Sequence, residues 1–182
     1  MSRIPTPATI NDAPEASRPL LEQVSKQLGS VPNMFRLEAQ STAALEGHLG
    51  LSGALAKGRL PAATRERIAL AIAEYNGCGY CLSAHSYIAA NLAKLSPEEI
   101  AANRSGRSTD AKADAAVVFA LKVAQLRGRV ADADFAAVRE AGYDDGQIVE
   151  IVQHIALNVY TNYLNEVART EIDFPVATDV AA

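Results

Sequence analysis

The chain has 182 residues, a length that suits one domain with a substantial core. Its 17 basic and 21 acidic residues give a net charge of −4 and are well mixed, so no basic stripe is available for a nucleic-acid backbone. No apolar run approaches the roughly 20 residues of a membrane-spanning helix, and residues 1–19 lack the apolar core of a signal peptide. We therefore expect a cytoplasmic protein without a nucleic-acid or membrane partner.

Helix signals follow one another closely along an alanine- and leucine-rich sequence. "SPEE" at 96–99 predicts a capping box, with Ser96 as the N-cap and Glu99 reaching back to it. The patterns predict helices at about 15–29, 43–57, 61–76, 78–94, 96–104, 110–127, 132–142 and 146–168, with a further short helix carrying Met34 and Leu37. The fold class predicted is all-α, a single-domain helical bundle of about eight helices over residues 15–168. An extended N-terminal arm at 1–14 and a C-terminal arm at 169–182 complete the predicted layout.

Two of the predicted helices depart from the usual pattern of one apolar and one polar face. The run Ile68–Ala73 is apolar all round, which predicts a central, buried helix. The last helix carries His154, Asn158 and Asn162 at spacings of four, a polar stripe on an otherwise apolar rod. This stripe is interpreted as a hydrogen-bonding seam between helices or an oligomer contact, with the lining of an active site as the alternative.

Both cysteines of the chain lie in the segment "EYNGCGYCLSAH", residues 74–85. On a helix, Cys78, Cys81 and His85 lie along one face. A thiol in the first helical turn is favoured as the thiolate by the helix dipole and the free amides, and Gly77 indicates that a helix begins here. His85 can take the proton of Cys81 and leave a nucleophilic thiolate.

The cluster has three possible interpretations. The cysteines are small core residues, or they bind zinc, or they form a dithiol/disulfide redox centre. Zinc requires a fourth ligand, which would have to come from Glu66, Glu74, His48 or His154. The redox interpretation needs only one activated and one resolving thiol, and both are present.

A carboxylate upstream offers a partner for the histidine. Glu66 shares its helical face with Ala69, Leu70 and Ala73, so we expect it to be buried and paired, with His85 as the partner across a helix contact. Glu74 lies at the end of the same predicted helix and is expected to be solvated.

The stretch "RERIALAIAEYNGCGYCLSAH" resembles the alkyl hydroperoxidase D-like (peroxidase-related) group of the carboxymuconolactone decarboxylase superfamily. The pattern is a Glu, eleven residues, then C-x-x-C-x-x-x-H, and it is met by Glu66, Cys78, Cys81 and His85. A VPN turn at 31–33, the SPEEI helix start and an N-x-Y-x-N run at 158–162 extend the resemblance over most of residues 15–170.

The resemblance implies an all-helical fold, a homotrimer or homohexamer, and no cofactor or metal. It implies that Cys81 attacks a peroxide, that Cys78 resolves the sulfenic acid to a disulfide, and that Glu66 and His85 relay protons. Well-studied members of the group carry a histidine between the cysteines where this chain has Tyr80. Because tyrosine accepts protons poorly near neutrality, Tyr80 is expected to be at most an auxiliary residue, with a shorter relay and a weaker peroxidase.

The function predicted is that of a hydroperoxide reductase, an antioxidant thiol peroxidase that cycles a Cys78–Cys81 dithiol and disulfide. A dithiol protein or a lipoyl-type reductant would regenerate the dithiol. Two alternatives stay open: a decarboxylase-like enzyme that uses Glu66 and His85 for acid–base chemistry, and a metal-binding or redox-sensing module.

Overall fold

A computed structural model describes residues 2–177, and these residues are organised as α-helices without any strand. The predicted all-α fold class is thereby confirmed. Residue 1 and residues 178–182, which belong to the two predicted arms, lie outside the described residues. The helices are α1 Arg18–Leu28, α2 Asn33–Glu38, α3 Thr42–Ala56, α4 Ala62–Asn76, α5 Gly79–Asn91, α6 Pro97–Arg104, α7 Ala111–Leu126, α8 Asp132–Glu140 and α9 Asp145–Ala168.

Local capping fixes where several of these helices begin. The side chains of Ser41, Ser96, Asp110 and Asp144 each accept a hydrogen bond from a backbone N–H in the first turn of the following helix. Such caps satisfy amide groups that have no partner within the helix. The predicted helix starts agree with the structure because cap residues are readable in the sequence.

The capping box predicted for α6 is only half present. Ser96 caps the helix, but the carboxylate of Glu99 is turned away and is buried. It accepts hydrogen bonds from Arg67, from the Thr109 backbone and from the Ser108 hydroxyl. An arginine and several neutral donors therefore hold Glu99 in the interior, where they offset the cost of burying its charge.

Helix α4 is the central element, as its all-round apolar sequence predicts. Every residue from Ile68 to Ala73 is buried, and the helix packs against α5, α6, α7 and α9. Its Ile72 lies in the main core with Phe119 of α7 and Ile151 of α9. Because α4 contacts both α5 and α9, it holds together the two helices that carry most of the candidate site.

The described segments before α1 and after α9 fold back onto this bundle. The predicted N-terminal arm is not extended throughout: residues Ile10–Asp12 form a 3-10 turn, in which the Asp12 carboxylate accepts hydrogen bonds from Thr9, and Ala13 is buried. Beyond α9 the segment 170–177 contains no helix and packs over the start of α5 through Ile172 and Phe174. No helix within residues 2–177 is both long and apolar enough to cross a membrane.

Candidate active site

The two cysteines lie at the turn between α4 and α5. Gly77 ends α4 in the left-handed conformation, with φ of 68°, which glycine adopts without steric cost. The Cys78 amide donates to the Ala73 carbonyl at 3.0 Å, which closes the end of α4. Cys78 is then the N-cap of α5, and its sulfur accepts a hydrogen bond from the Cys81 amide at 3.3 Å. The turn therefore brings both thiols into the first turn of one helix.

The two sulfurs have different surroundings. Cys78 is fully buried, and Ile172 of the C-terminal segment packs against the apolar cluster that contains it. Cys81 retains 3% exposure and lines a cavity, and its sulfur accepts a hydrogen bond from the side-chain amide of Asn165 at 3.4 Å. Both are free thiols. A ligand in the cavity would therefore meet Cys81 and not Cys78.

The hydrogen bond between the thiols separates their acidities. Donation from the Cys78 thiol is the largest cause that lowers the pKa of Cys81 to about 7, and burial opposes it. The positive charge of His85 and the amide of Asn165 add to the lowering. The same hydrogen bond and burial raise the pKa of Cys78 above its ordinary value. Cys81 is therefore the thiol that is ionised near neutral pH.

A histidine–carboxylate pair adjoins Cys81 in the cavity, as the sequence predicts. His85 of α5 lies one turn beyond Cys81, and its Nδ1 is 2.8 Å from Oε2 of Glu66 on α4. Burial acts to lower the pKa of His85, but the charge and hydrogen bond of Glu66 outweigh it and raise that pKa above its ordinary value. Glu66 therefore favours the protonated imidazole, and His85 lines the cavity beside Cys81.

The second carboxylate of α4 takes no part in this arrangement. Glu74 accepts a hydrogen bond from Nε of Arg104 at 2.6 Å, and its side chain is 37% exposed. It is absent from the cavity lining. The contrast between Glu66 and Glu74 follows from their positions along α4, because Glu74 lies about two turns further on, at the end of the helix, where Arg104 of α6 pairs with it.

Tyr80 has a structural position between the cysteines. Its hydroxyl donates to Asp173 at 2.9 Å and accepts from the Met34 amide at 3.2 Å, so it ties α5 to α2 and to the C-terminal segment. Burial is the main cause that raises the pKa of Tyr80 well above its usual range. A neutral phenol whose hydroxyl already donates one hydrogen bond and accepts another is not a free proton acceptor.

The polar stripe of α9 faces into the chain. His154 and Asn158 line the same cavity as Cys81, and Asn162 accepts a hydrogen bond from Asn76 of α4 at 2.9 Å. All three side chains are buried within the chain, so the interpretation of this stripe as an oligomer contact is wrong. Asn162 belongs to a hydrogen-bonding seam between helices, and His154 and Asn158 belong to the lining of the cavity. Asn165, the residue that contacts Cys81, extends the stripe by three positions and was not predicted.

The cavity has a volume of about 710 Å³ and is lined by residues of α1, α2, α3, α4, α5 and α9. His48 forms part of its wall and belongs to a second histidine–carboxylate pair, which the sequence did not predict. Nδ1 of His48 is 2.7 Å from Glu38, and the other oxygen of Glu38 accepts from the Tyr160 hydroxyl at 2.5 Å. Phe35 stacks on the His48 ring at a centroid distance of 5.3 Å.

The zinc interpretation can be compared with the geometry. Within residues 2–177, no group of three or more His, Cys, Asp or Glu side chains is arranged to hold a metal ion. Of the four candidate fourth ligands, Glu66 is engaged by His85, Glu74 by Arg104 and His48 by Glu38, whereas His154 lines the cavity with its Nε2 unpartnered within residues 2–177. The structure therefore brings together Cys78, Cys81, His85 and Glu66 without a metal-binding arrangement.

Residues 42–126, slightly under half of the chain, match the model of the carboxymuconolactone decarboxylase family, so this stretch is similar to that family. The structure resembles the alkylhydroperoxidase AhpD core of an uncharacterized peroxidase-related protein from Ralstonia eutropha JMP134. The TM-score is 0.84 at 27% identity, over 94% of this chain and 92% of the other.

Two further solved structures share the fold at lower identity. An uncharacterized peroxidase-related protein from Silicibacter sp. TM1040 gives a TM-score of 0.79 at 23% identity, with 94% of each chain covered. The debrominase Bmp8 gives 0.77 at 22% identity, with 92% of this chain and 91% of the other covered. No curated protein sequence matches significantly. The resemblance to the alkyl hydroperoxidase D-like group of the carboxymuconolactone decarboxylase superfamily is confirmed.

Proposed function

We propose that the protein reduces hydroperoxides with the Cys78–Cys81 dithiol. The observation that carries the proposal is the position of Cys81, the more acidic thiol, in the cavity wall beside the His85–Glu66 pair, with Cys78 behind it. The 27% identical structural neighbour, a peroxidase-related protein, supports the same chemistry.

In the first step the Cys81 thiolate attacks the terminal oxygen of the hydroperoxide. The S–O bond forms as the O–O bond breaks, so the sulfur becomes a sulfenic acid and the peroxide is reduced to an alkoxide. The alkoxide takes a proton from Nε2 of the His85 cation and leaves as the alcohol. Glu66 acts through His85 by holding the imidazole protonated and correctly oriented.

In the second step the Cys78 sulfur attacks the sulfur of the Cys81 sulfenic acid. The S–S bond forms, the S–O bond breaks, and the departing hydroxide combines with the Cys78 proton to give water. A dithiol reductant, either a protein dithiol or a lipoyl-type group, then reduces the disulfide. The proton of the regenerated Cys81 thiol returns to His85, and the starting ion pair is restored.

The proposal includes the cytoplasm as the compartment, because the cycle starts from a reduced dithiol and depends on a thiol reductant. It also includes a homotrimer or homohexamer. The outer face of α9 supports such an assembly, since several large apolar side chains on it are exposed: Val149, Val152, Tyr163 and Val167. Apolar surface of this extent commonly marks a protein–protein contact.

Thiol counting during turnover tests the proposal. One equivalent of cumene hydroperoxide should remove both free thiols of each chain, and dihydrolipoamide should restore them. Cys81→Ser should abolish peroxide consumption, whereas Cys78→Ser should accumulate a sulfenic acid on Cys81 that dimedone traps. Peroxide consumption by Cys81→Ser at the wild-type rate would refute the assignment.

The same assay separates the alternatives. Because the debrominase Bmp8 shares the fold and a variant of it was solved in complex with 2,3,4-tribromopyrrole, that compound serves as a second substrate in a parallel reaction. A decarboxylase-like enzyme would instead keep its activity in Cys81→Ser and lose it in Glu66→Gln. A redox-sensing module would form the disulfide once but would show no sustained turnover with dihydrolipoamide.

A further inference from the structure

The cavity beside Cys81 is much larger than a small hydroperoxide requires. Its volume of about 710 Å³ lies within the range of pockets that enclose drug-sized ligands, roughly 300–1,000 Å³. Much of the lining is aliphatic, from Val24 and Leu28 of α1, Leu49 of α3 and Leu157 of α9. Walls of this kind suit an extended apolar body of the ligand.

Two cations also line the cavity. Arg65 of α4 is partly buried, and Lys57, just after α3, is exposed. Neither is in ion-pair contact with a carboxylate among residues 2–177. Arg65 donates one hydrogen bond, to the Leu55 carbonyl at 3.1 Å, which fixes the guanidinium against the end of α3. The other N–H donors of the guanidinium are then available to a ligand in the cavity.

A buried imidazole near Arg65 lacks a partner as well. His154 is 6% exposed and lines the cavity, and its Nε2 has no hydrogen-bond partner in the part of the chain that the structure describes. Burial is the main cause that lowers the pKa of His154, and the positive charge of Arg65 adds to the lowering. The charges of Glu150 and Glu66 oppose it. A partly buried cation and a neutral imidazole without a partner therefore lie on one wall, and both gain from an anionic group placed between them.

We propose that the cavity binds an organic hydroperoxide that carries a carboxylate, with Arg65 as the carboxylate-binding residue and the aliphatic walls around the hydrocarbon. The proposal deepens the hydroperoxide reductase function and rests on it for the identity of the reacting group. A singly charged, planar carboxylate matches one guanidinium, which can donate two parallel hydrogen bonds to it. Fatty acid hydroperoxides are the substrate class with this chemistry.

Binding can be measured without any peroxide, so that the two proposals fail separately. Decanoic acid and decanol share the chain and differ in charge. Isothermal titration of the reduced wild-type protein should give a dissociation constant at least about tenfold lower for the acid than for the alcohol, the minimum expected of a charge-assisted hydrogen bond. Arg65→Gln should abolish this preference, and Arg65→Lys should restore part of it.

The matched control is Arg129→Gln, an exposed arginine outside the cavity lining, which should keep the wild-type preference. A turnover comparison of linoleic acid hydroperoxide with its methyl ester should show the same preference in kcat/KM. Acid and alcohol bound equally by the wild-type protein, no binding of either, or equal loss of both in Arg65→Gln would each overturn the inference. Preferential binding of the acid by a protein without peroxidase activity would support the inference and refute only the proposed reaction.

Discussion

Removal of the Cys78 thiol should make Cys81 a weaker acid. The hydrogen bond from Cys78 is the largest cause that lowers the pKa of Cys81 to about 7, and burial acts in the opposite direction. In Cys78→Ala the donor is lost while the burial remains. The pKa of Cys81 should therefore rise toward the ordinary thiol value of about 8.5, since burial then opposes only the remaining effects of His85 and the asparagine amides.

The expected effect on reactivity is smaller than the effect on ionisation. At pH 7 the thiolate fraction falls from about one half to about 3% if the pKa rises to about 8.5. A thiolate of higher pKa is intrinsically more nucleophilic. With a Brønsted coefficient of about 0.45, the rate constant of each thiolate rises by about fivefold, which offsets part of the loss. The alkylation rate at pH 7 should thus fall only about threefold, whereas the midpoint of its pH dependence should move by about 1.5 units.

The measurement is the rate of iodoacetamide alkylation of Cys81 between pH 5 and 10, followed by peptide mass spectrometry to distinguish the two cysteines. Cys78→Ser is the matched control, because its hydroxyl keeps a donor at the same position. Its midpoint should lie between those of the wild-type protein and Cys78→Ala. A midpoint for Cys78→Ala within about 0.3 units of the wild-type value would show that the helix start and His85 alone set the acidity of Cys81.

Three further outcomes are expected. Glu66→Gln should slow peroxide reduction by roughly 10²-fold, the low end for a general acid–base group. The matched control Glu74→Gln should change the rate little. Equal effects of the two substitutions would mean that the wrong carboxylate was chosen. Burial is the main cause that lowers the pKa of His154 from an ordinary 6.5 to about 4. Between these two values the imidazole is protonated in the unfolded chain and neutral in the folded chain. The free energy of unfolding should fall by up to about 3 kcal/mol as the pH drops from about 6.5 to about 4, and urea titrations of His154→Gln should lack this component. Light scattering should give three or six times the monomer mass of 19.3 kDa, and a fully active monomer would contradict the proposed assembly.

Much of the fold could be predicted because its signals are local. Cap residues such as Ser41 and Ser96, and the glycine that ends α4, mark the helix boundaries within a few positions. The alignment of Cys78, Cys81 and His85 also follows from helical spacing alone. The Glu66–His85 contact required one long-range step, and the cost of burying an unpaired carboxylate made that step predictable.

The rest of the site depends on how helices cross. The contact of Asn165 with Cys81 joins residues from α9 and α5, and no spacing within α9 shows which of its polar side chains will reach the sulfur. The Glu38–His48 pair likewise joins α2 to α3, and Tyr160 completes it from the far end of the sequence. The polar run of α9 continues from Asn162 to Asn165. It therefore marks Asn165 as a candidate for the interhelical seam, although it does not indicate the contact with the sulfur of Cys81.

The unequal access to the two sulfurs determines which sulfur of the proposed disulfide a reductant would attack and which would leave. Because only Cys81 faces the cavity, an incoming thiolate that enters there forms its mixed disulfide on Cys81 and must expel Cys78 as the leaving group. A fully buried sulfur departs slowly as a thiolate, since thiol–disulfide exchange is fastest when the departing thiol is acidic. Regeneration of the dithiol, rather than attack on the peroxide, is therefore expected to limit turnover, and the protein would spend most of each cycle oxidised.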